Sequence, residues 1–159
     1  MENTRVRSGL EALSLALLGL QALIIGVALG GLPDRVPVHF DVLGQADAFE
    51  PKSSLWELWA VSAGLYLLLS GLSLLPLRSP LWNLPAAMKV SGNRATVLEM
   101  MASFKVLVTF TFLLLSFFSL RAARGQETVL MTPLLLIMST LVPLIILAVY
   151  YTKMQREAD

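Results

Sequence analysis

The sequence predicts an all-α integral membrane protein, with four transmembrane helices in a bundle and a short extracytoplasmic hooked loop or hairpin between helices 1 and 2. Three observations predict it. The chain is 56% hydrophobic and 14% charged, whereas soluble domains carry about 25% charged residues. The apolar runs Leu10–Gly31, Leu55–Leu77, Met100–Leu120 and Val129–Tyr151 carry almost no charge, Glu11, Glu57 and Lys105 lying near run ends. Each run is roughly 20 residues, about 30 Å as helix, which matches the hydrocarbon thickness of a bilayer.

Within lipid a single segment must satisfy its own backbone hydrogen bonds, so each run is predicted helical. The first run also resembles a signal peptide, with Arg5 and Arg7 ahead of it, but its apolar region exceeds the usual ~7–15 residues. No polar stretch is long enough for a separate globular domain, so residues 1–159 read as one membrane domain, with an outer loop at 32–54 and a cytoplasmic loop at 78–99.

Basic residues set the expected orientation. Arg5, Arg7, Arg78, Lys89, Arg94, Lys153 and Arg156 fall on one side, against Arg35, Lys52, Arg121 and Arg124 on the other. The positive-inside rule then places both termini in the cytoplasm and the outer loop outside. Ser54-Leu55-Trp56-Glu57 reads as a capping box at the start of the second span. Trp56, Trp59, Tyr150 and Tyr151 read as interfacial anchors. Lys105, about one turn into the third run, reads as a snorkelling residue.

For packing, Ala22, Gly26 and Gly30 recur every fourth residue in the first span. Such small residues let backbones approach, within the bundle or against a second copy. Pro133 falls near the start of the fourth span, where its missing N–H costs little. Pro143 lies deep in it and predicts a kink between Ser139 and Pro143. No ionisable group is expected at depth and no internal repeat is visible, which argues against an ion-coupled carrier. Net charge is +1, so nucleic acid is not an expected partner. Cysteine is absent, which removes disulfides, thiolate metal sites and cysteine nucleophiles.

The outer loop carries the candidate site. Val36, Val38, Phe40 and Val42 alternate with Pro37, His39 and Asp41, the period of a half-buried strand. Leu43-Gly44-Gln45 supplies a turn, and Ala46–Phe49 a short return strand. The apolar side should press on helix ends, while His39 and Asp41 face water or a partner. Asp34, His39, Asp41, Asp47 and Glu50 are dense enough to weigh a metal, with His39, Asp34 and Asp47 as candidate ligands. One imidazole without cysteine is thin for zinc, so turn capping by Asp34 and Asp47 is the leading reading. No cofactor is expected. In the cytoplasmic loop, Asn83-Leu84-Pro85 breaks the chain, and Ser91-Gly92-Asn93 reads as a cap before a helix that runs into the third span.

These loops carry a family resemblance. Leu32-Pro33-Asp34, Pro37, His39-Phe40, Gly44, Asp47 and Lys52, with a looser echo at Asn83, Pro85 and Asn93, resemble bacterial membrane proteins of domain-of-unknown-function family 1648, related to the Sdp-type toxin-immunity proteins. The resemblance implies a multi-pass protein of the bacterial inner membrane. It also implies a non-catalytic binding, sensing or immunity-like role, with Asp34, Pro37, His39, Phe40, Gly44, Asp47 and Lys52 meeting a peptide, lipid or protein partner. Those relatives carry further spans, and Ala48 stands where the family often has glycine. Two alternatives remain: a small accessory subunit of a larger membrane complex, with homo-oligomerisation through the glycine face, and a metal-dependent enzyme or carrier using His39.

Overall fold

The computed structural model describes residues 2–41, 45–76, 79, 93–126, 128 and 131–156. Helix dominates. Its helices at Thr4–Gly31, Lys52–Leu74, Arg94–Ala123 and Thr132–Arg156 are long and apolar enough to cross a membrane. In chain order these contain α1 (Glu2–Ala28), α2 (Leu55–Leu74), α3 (Arg94–Ala123), and a last rod made of α4 (Met131–Leu136), a π-helical segment (Ile137–Leu141) and α5 (Val142–Arg156). Between α1 and α2 lies a hairpin of β1 (Arg35–Phe40) and β2 (Ala46–Pro51). All four extend beyond the expected apolar runs at one end or both, and the second ends at Leu74 rather than Leu77.

α3 is the hub, packing against α1, α2, α5 and β1. The α1–α3 seam is parallel. Glu11 meets Lys105 and Gln21 meets Ser116, so the two helices keep a nearly constant register. Along α1, Ser14, Leu18, Gln21, Ile25 and Ala28 are buried. That alternating four–three spacing is the seam of a left-handed coiled coil. On α3, Lys105, Thr109, Leu113, Ser116 and Leu120 are buried. Large apolar side chains such as Leu23, Leu67, Leu74, Leu144 and Ile145 are exposed instead. Polar residues inside and leucine outside is the pattern of helices solvated by lipid, where hydrogen bonds and close packing hold helices together.

Two apolar clusters close the ends of the seam. Val97, Met100, Met101 and Met154 join α3 to α5. Ile25, Leu32, Val36, Leu55 and Leu120 join the hairpin root to α1, α2 and α3. Gly26 on α1 and Gly30 in the 3₁₀ turn after it (Leu29–Gly31) are exposed; a Cβ on Gly26 would come within 4.0 Å of the Trp56 ring, and one on Gly30 would meet nothing. The buried face of α1 is therefore the polar stripe rather than the glycine face, and Ala22 is half-buried.

Several local expectations change. Ser54 does not cap α2: it is itself helical, makes no side-chain cap bond, and its buried hydroxyl has no partner among the described residues. The 3₁₀ turn Lys52–Ser54 leads directly into the helix and takes over the capping role. Trp56 stays at the exposed rim, while Trp59 turns inward and donates its indole N–H to Leu18 O at 3.1 Å. At Pro143 the structure shows a change of helix type. The chain widens into the π segment just before it, which relieves the clash between the proline ring and the carbonyl four residues back. α3 begins at Arg94, with Asn93 in the N-cap position. It ends on Gly125 in the left-handed region, φ 69°, where Gly125 N–H bonds Ala122 O and Gln126 N–H bonds Arg121 O. This is a Schellman termination, and glycine is the residue that adopts it without Cβ strain.

Candidate functional site

The hairpin is held at its root and offered at its tip. Val36 is fully buried and Val38 and Phe40 are half-buried, whereas Arg35 and His39 are exposed. This is the period-two pattern read from the sequence. Pro37, also buried, pairs with Phe49. The ladder slips on both sides of His39, which adds local twist. At the root, Lys52 N–H bonds Asp34 O at 2.9 Å, and the Lys52 ammonium lies 3.4 Å from the Asp34 carboxylate. Arg35 donates to Phe49 O at 2.8 Å.

At the tip, Asp41 closes the turn. Its N–H donates to Gln45 O and its carboxylate accepts from Gln45 N–H, both at 2.8 Å. The capping assigned to Asp34 and Asp47 thus belongs to Asp41. Asp47 instead holds His39, with Nδ1 to Oδ1 at 2.5 Å. Because an ionised carboxylate only accepts, Nδ1 carries the proton. Nε2 makes no bond among the described residues, so the imidazole is oriented with one nitrogen left over. Gly44, with Val42 and Leu43, lies outside the described residues, as do Asn83, Pro85, Arg78 and Lys89 of the cytoplasmic loop.

Asp34 does not join His39 and Asp47. It stands five residues before His39, about 16 Å along a strand rising ~3.3 Å per residue. Metal–ligand bonds are about 2–2.6 Å. Among the described residues no three histidine, aspartate or glutamate side chains gather around one point.

Beneath β1 lies a cavity of about 450 Å³. Phe40, Leu115, Leu135 and Leu136 give it apolar walls, and His39, Asp41, Thr111, Thr132 and Ser139 add polar groups. Thr132 ties the last rod to the hairpin by donating to Asp41 O at 3.3 Å. Ser139 belongs to the π segment, so the widened turn forms part of the wall.

Two polar networks were missed in the sequence. Lys105 does not snorkel. It is 2% exposed, bonds Glu11 at 2.6 Å, and lies 5.3 Å from the Tyr66 ring centre. Tyr66 donates to the other Glu11 oxygen at 3.1 Å. Tyr66 lies eight residues before the end of α2, about 12 Å at 1.5 Å per residue, so ionisable groups do occur within a span. On the α3–α5 side, Glu99 accepts from Lys153 at 3.0 Å and from Tyr150 at 3.1 Å. Tyr150 is therefore an internal strut rather than an interfacial anchor. The available signal was spacing: Glu11, Ser14 and Gln21 share the polar stripe of an otherwise apolar helix.

Four membrane-length helices with a strand hairpin between the first two define a multi-pass membrane protein of mainly helical fold. Residues 16–63 match the family described as a domain of unknown function, DUF1648. The match takes in the second half of α1, the whole hairpin and the first half of α2. It leaves out the Asn83, Pro85 and Asn93 echo. No curated protein and no solved structure matches the chain.

Proposed function

We propose that this protein is a non-catalytic binding or sensing module of the bacterial inner membrane, its four helices forming a bundle with both termini cytoplasmic and the hairpin outside. The hairpin and the cavity beneath it receive a partner, as an immunity-like protein of the Sdp type would receive a peptide. One observation carries this reading: the lining of an apolar-walled cavity includes His39, whose imidazole Asp47 orients. Binding sites are commonly apolar pockets of about 300–1,000 Å³ with a few placed polar groups. A peptide suits the geometry better than a lipid or a folded protein. The two-stranded sheet leaves the outer edge of β2 without a strand neighbour among the described residues, and such an edge can accept an extended chain.

The test is a photo-crosslinking residue at Phe40 in cells. It should give one discrete adduct that disappears with His39→Ala or Asp47→Asn, while expression and thermal stability hold. Loss of expression in both variants would show that these side chains serve only the fold. The exposed Gly26 and Gly30 favour a second reading, an accessory subunit or homo-oligomer docked through α1. Adducts from position 30 that survive His39→Ala would support it.

A further inference from the structure

At the end of the packed helices away from the hairpin, α1, α2 and α3 enclose a cavity of about 730 Å³. Cations dominate its wall: Arg7, Arg94 and Lys105, against Glu11 alone. Lys105 is already matched by its 2.6 Å pair with Glu11. Among the described residues no acid pairs with either arginine. Arg94 donates from one nitrogen to Leu75 O at 3.1 Å, and its other N–H groups meet no acceptor among the described residues. Arg7 makes no hydrogen bond or ion pair among the described residues and is half-buried.

The hydroxyls of the wall complete a pattern. Ser70 donates to Tyr66 O at 2.8 Å and Ser73 to Leu69 O at 2.7 Å. With their protons committed, both present lone pairs to the cavity and act as acceptors. The site therefore combines guanidinium donors suited to phosphate oxygens with serine oxygens suited to hydroxyl donors. Arg94 is the first residue of α3 and Leu74, also on the wall, the last of α2. The cavity thus lies at these helix ends, the level of lipid headgroups.

The geometry points to a binding site here for an anionic phosphate whose headgroup carries hydroxyls. Two sources share that chemistry, a polyol-phosphate lipid such as phosphatidylglycerol and a soluble polyol phosphate such as glycerol phosphate. Neither involves the hairpin or its partner.

The experiment uses the purified full chain in a neutral detergent. Phosphatidylglycerol, phosphatidylcholine and glycerol phosphate are added separately, with retention read by native mass spectrometry and stability by thermal unfolding. Phosphatidylglycerol is expected to be retained at one equivalent and to raise Tm by more than phosphatidylcholine does. Arg7→Gln and Arg94→Gln should each weaken retention about tenfold or more, the loss of one charge-assisted hydrogen bond. Arg124→Gln, at the opposite end of α3, should retain it fully. If either glutamine variant fails to fold, Arg7→Lys and Arg94→Lys keep the charge and should still lose affinity through loss of the planar fork. Stabilisation by glycerol phosphate without lipid retention would support the site and assign the soluble source. Equal retention of phosphatidylcholine, or wild-type retention by the arginine variants, would overturn it.

Discussion

Removing the two partners of the Glu11–Lys105 pair one at a time should give unequal costs. After Glu11→Met, the Lys105 ammonium is left with a side chain 3% exposed, and the Tyr66 ring is its nearest compensation. Breaking a buried pair from the side that strands a charge costs about 3–5 kcal/mol. After Lys105→Met, Glu11 keeps its Tyr66 bond and is 30% exposed toward the polar cavity. The cost then falls to that of a lost hydrogen bond and partial desolvation, about 1–2 kcal/mol. The double variant removes both charges from the seam and should cost less than Glu11→Met alone, a coupling of about 2 kcal/mol or more. Equilibrium unfolding in mixed micelles, followed by circular dichroism, reads all three. Equal losses for the two single variants, or a double variant equal to their sum, would refute a buried, mutually dependent pair.

Other substitutions test separate parts of the structure. Gly125→Ala forces a Cβ into the left-handed turn that ends α3 and should cost about 1 kcal/mol, seen as a lower Tm. Asp47→Asn leaves a pair whose members are 69% and 49% exposed, so stability should change by less than about 1 kcal/mol while the crosslinked adduct at Phe40 is lost. Zinc at a few equivalents should leave Tm unchanged, because Asp34 cannot reach His39 and Asp47. A rise that His39→Ala abolishes would restore the metal reading.

Hydropathy made the spans legible, since lipid imposes length and apolarity on any helix that crosses it. The hairpin was legible for a similar reason: alternation at Val36, Val38 and Phe40 follows from one face resting on the helix ends. What sequence could not supply was pairing. Asp34, Asp41 and Asp47 are the same side chain in one loop, and the register alone assigns them to Lys52, the turn and His39. Lys105 was misread because its distance from the end of the apolar run suggested snorkelling, whereas its acid partner lies 94 residues away in sequence. Ser54 followed the capping pattern, but the preceding 3₁₀ turn made the cap unnecessary. The glycine spacing on α1 drew attention from the polar stripe, because small residues and buried polar residues both mark contact faces in lipid.

The chain contains no cysteine, so single introduced thiols report cleanly on sidedness. Glu50 on β2 and Gln155 near the end of α5 are both exposed. In intact spheroplasts a membrane-impermeant maleimide should label Glu50→Cys and should reach Gln155→Cys only after the membrane is opened. Labelling of Gln155→Cys but not Glu50→Cys in sealed cells would put the hairpin on the cytoplasmic side and contradict the proposed role as an outward receptor.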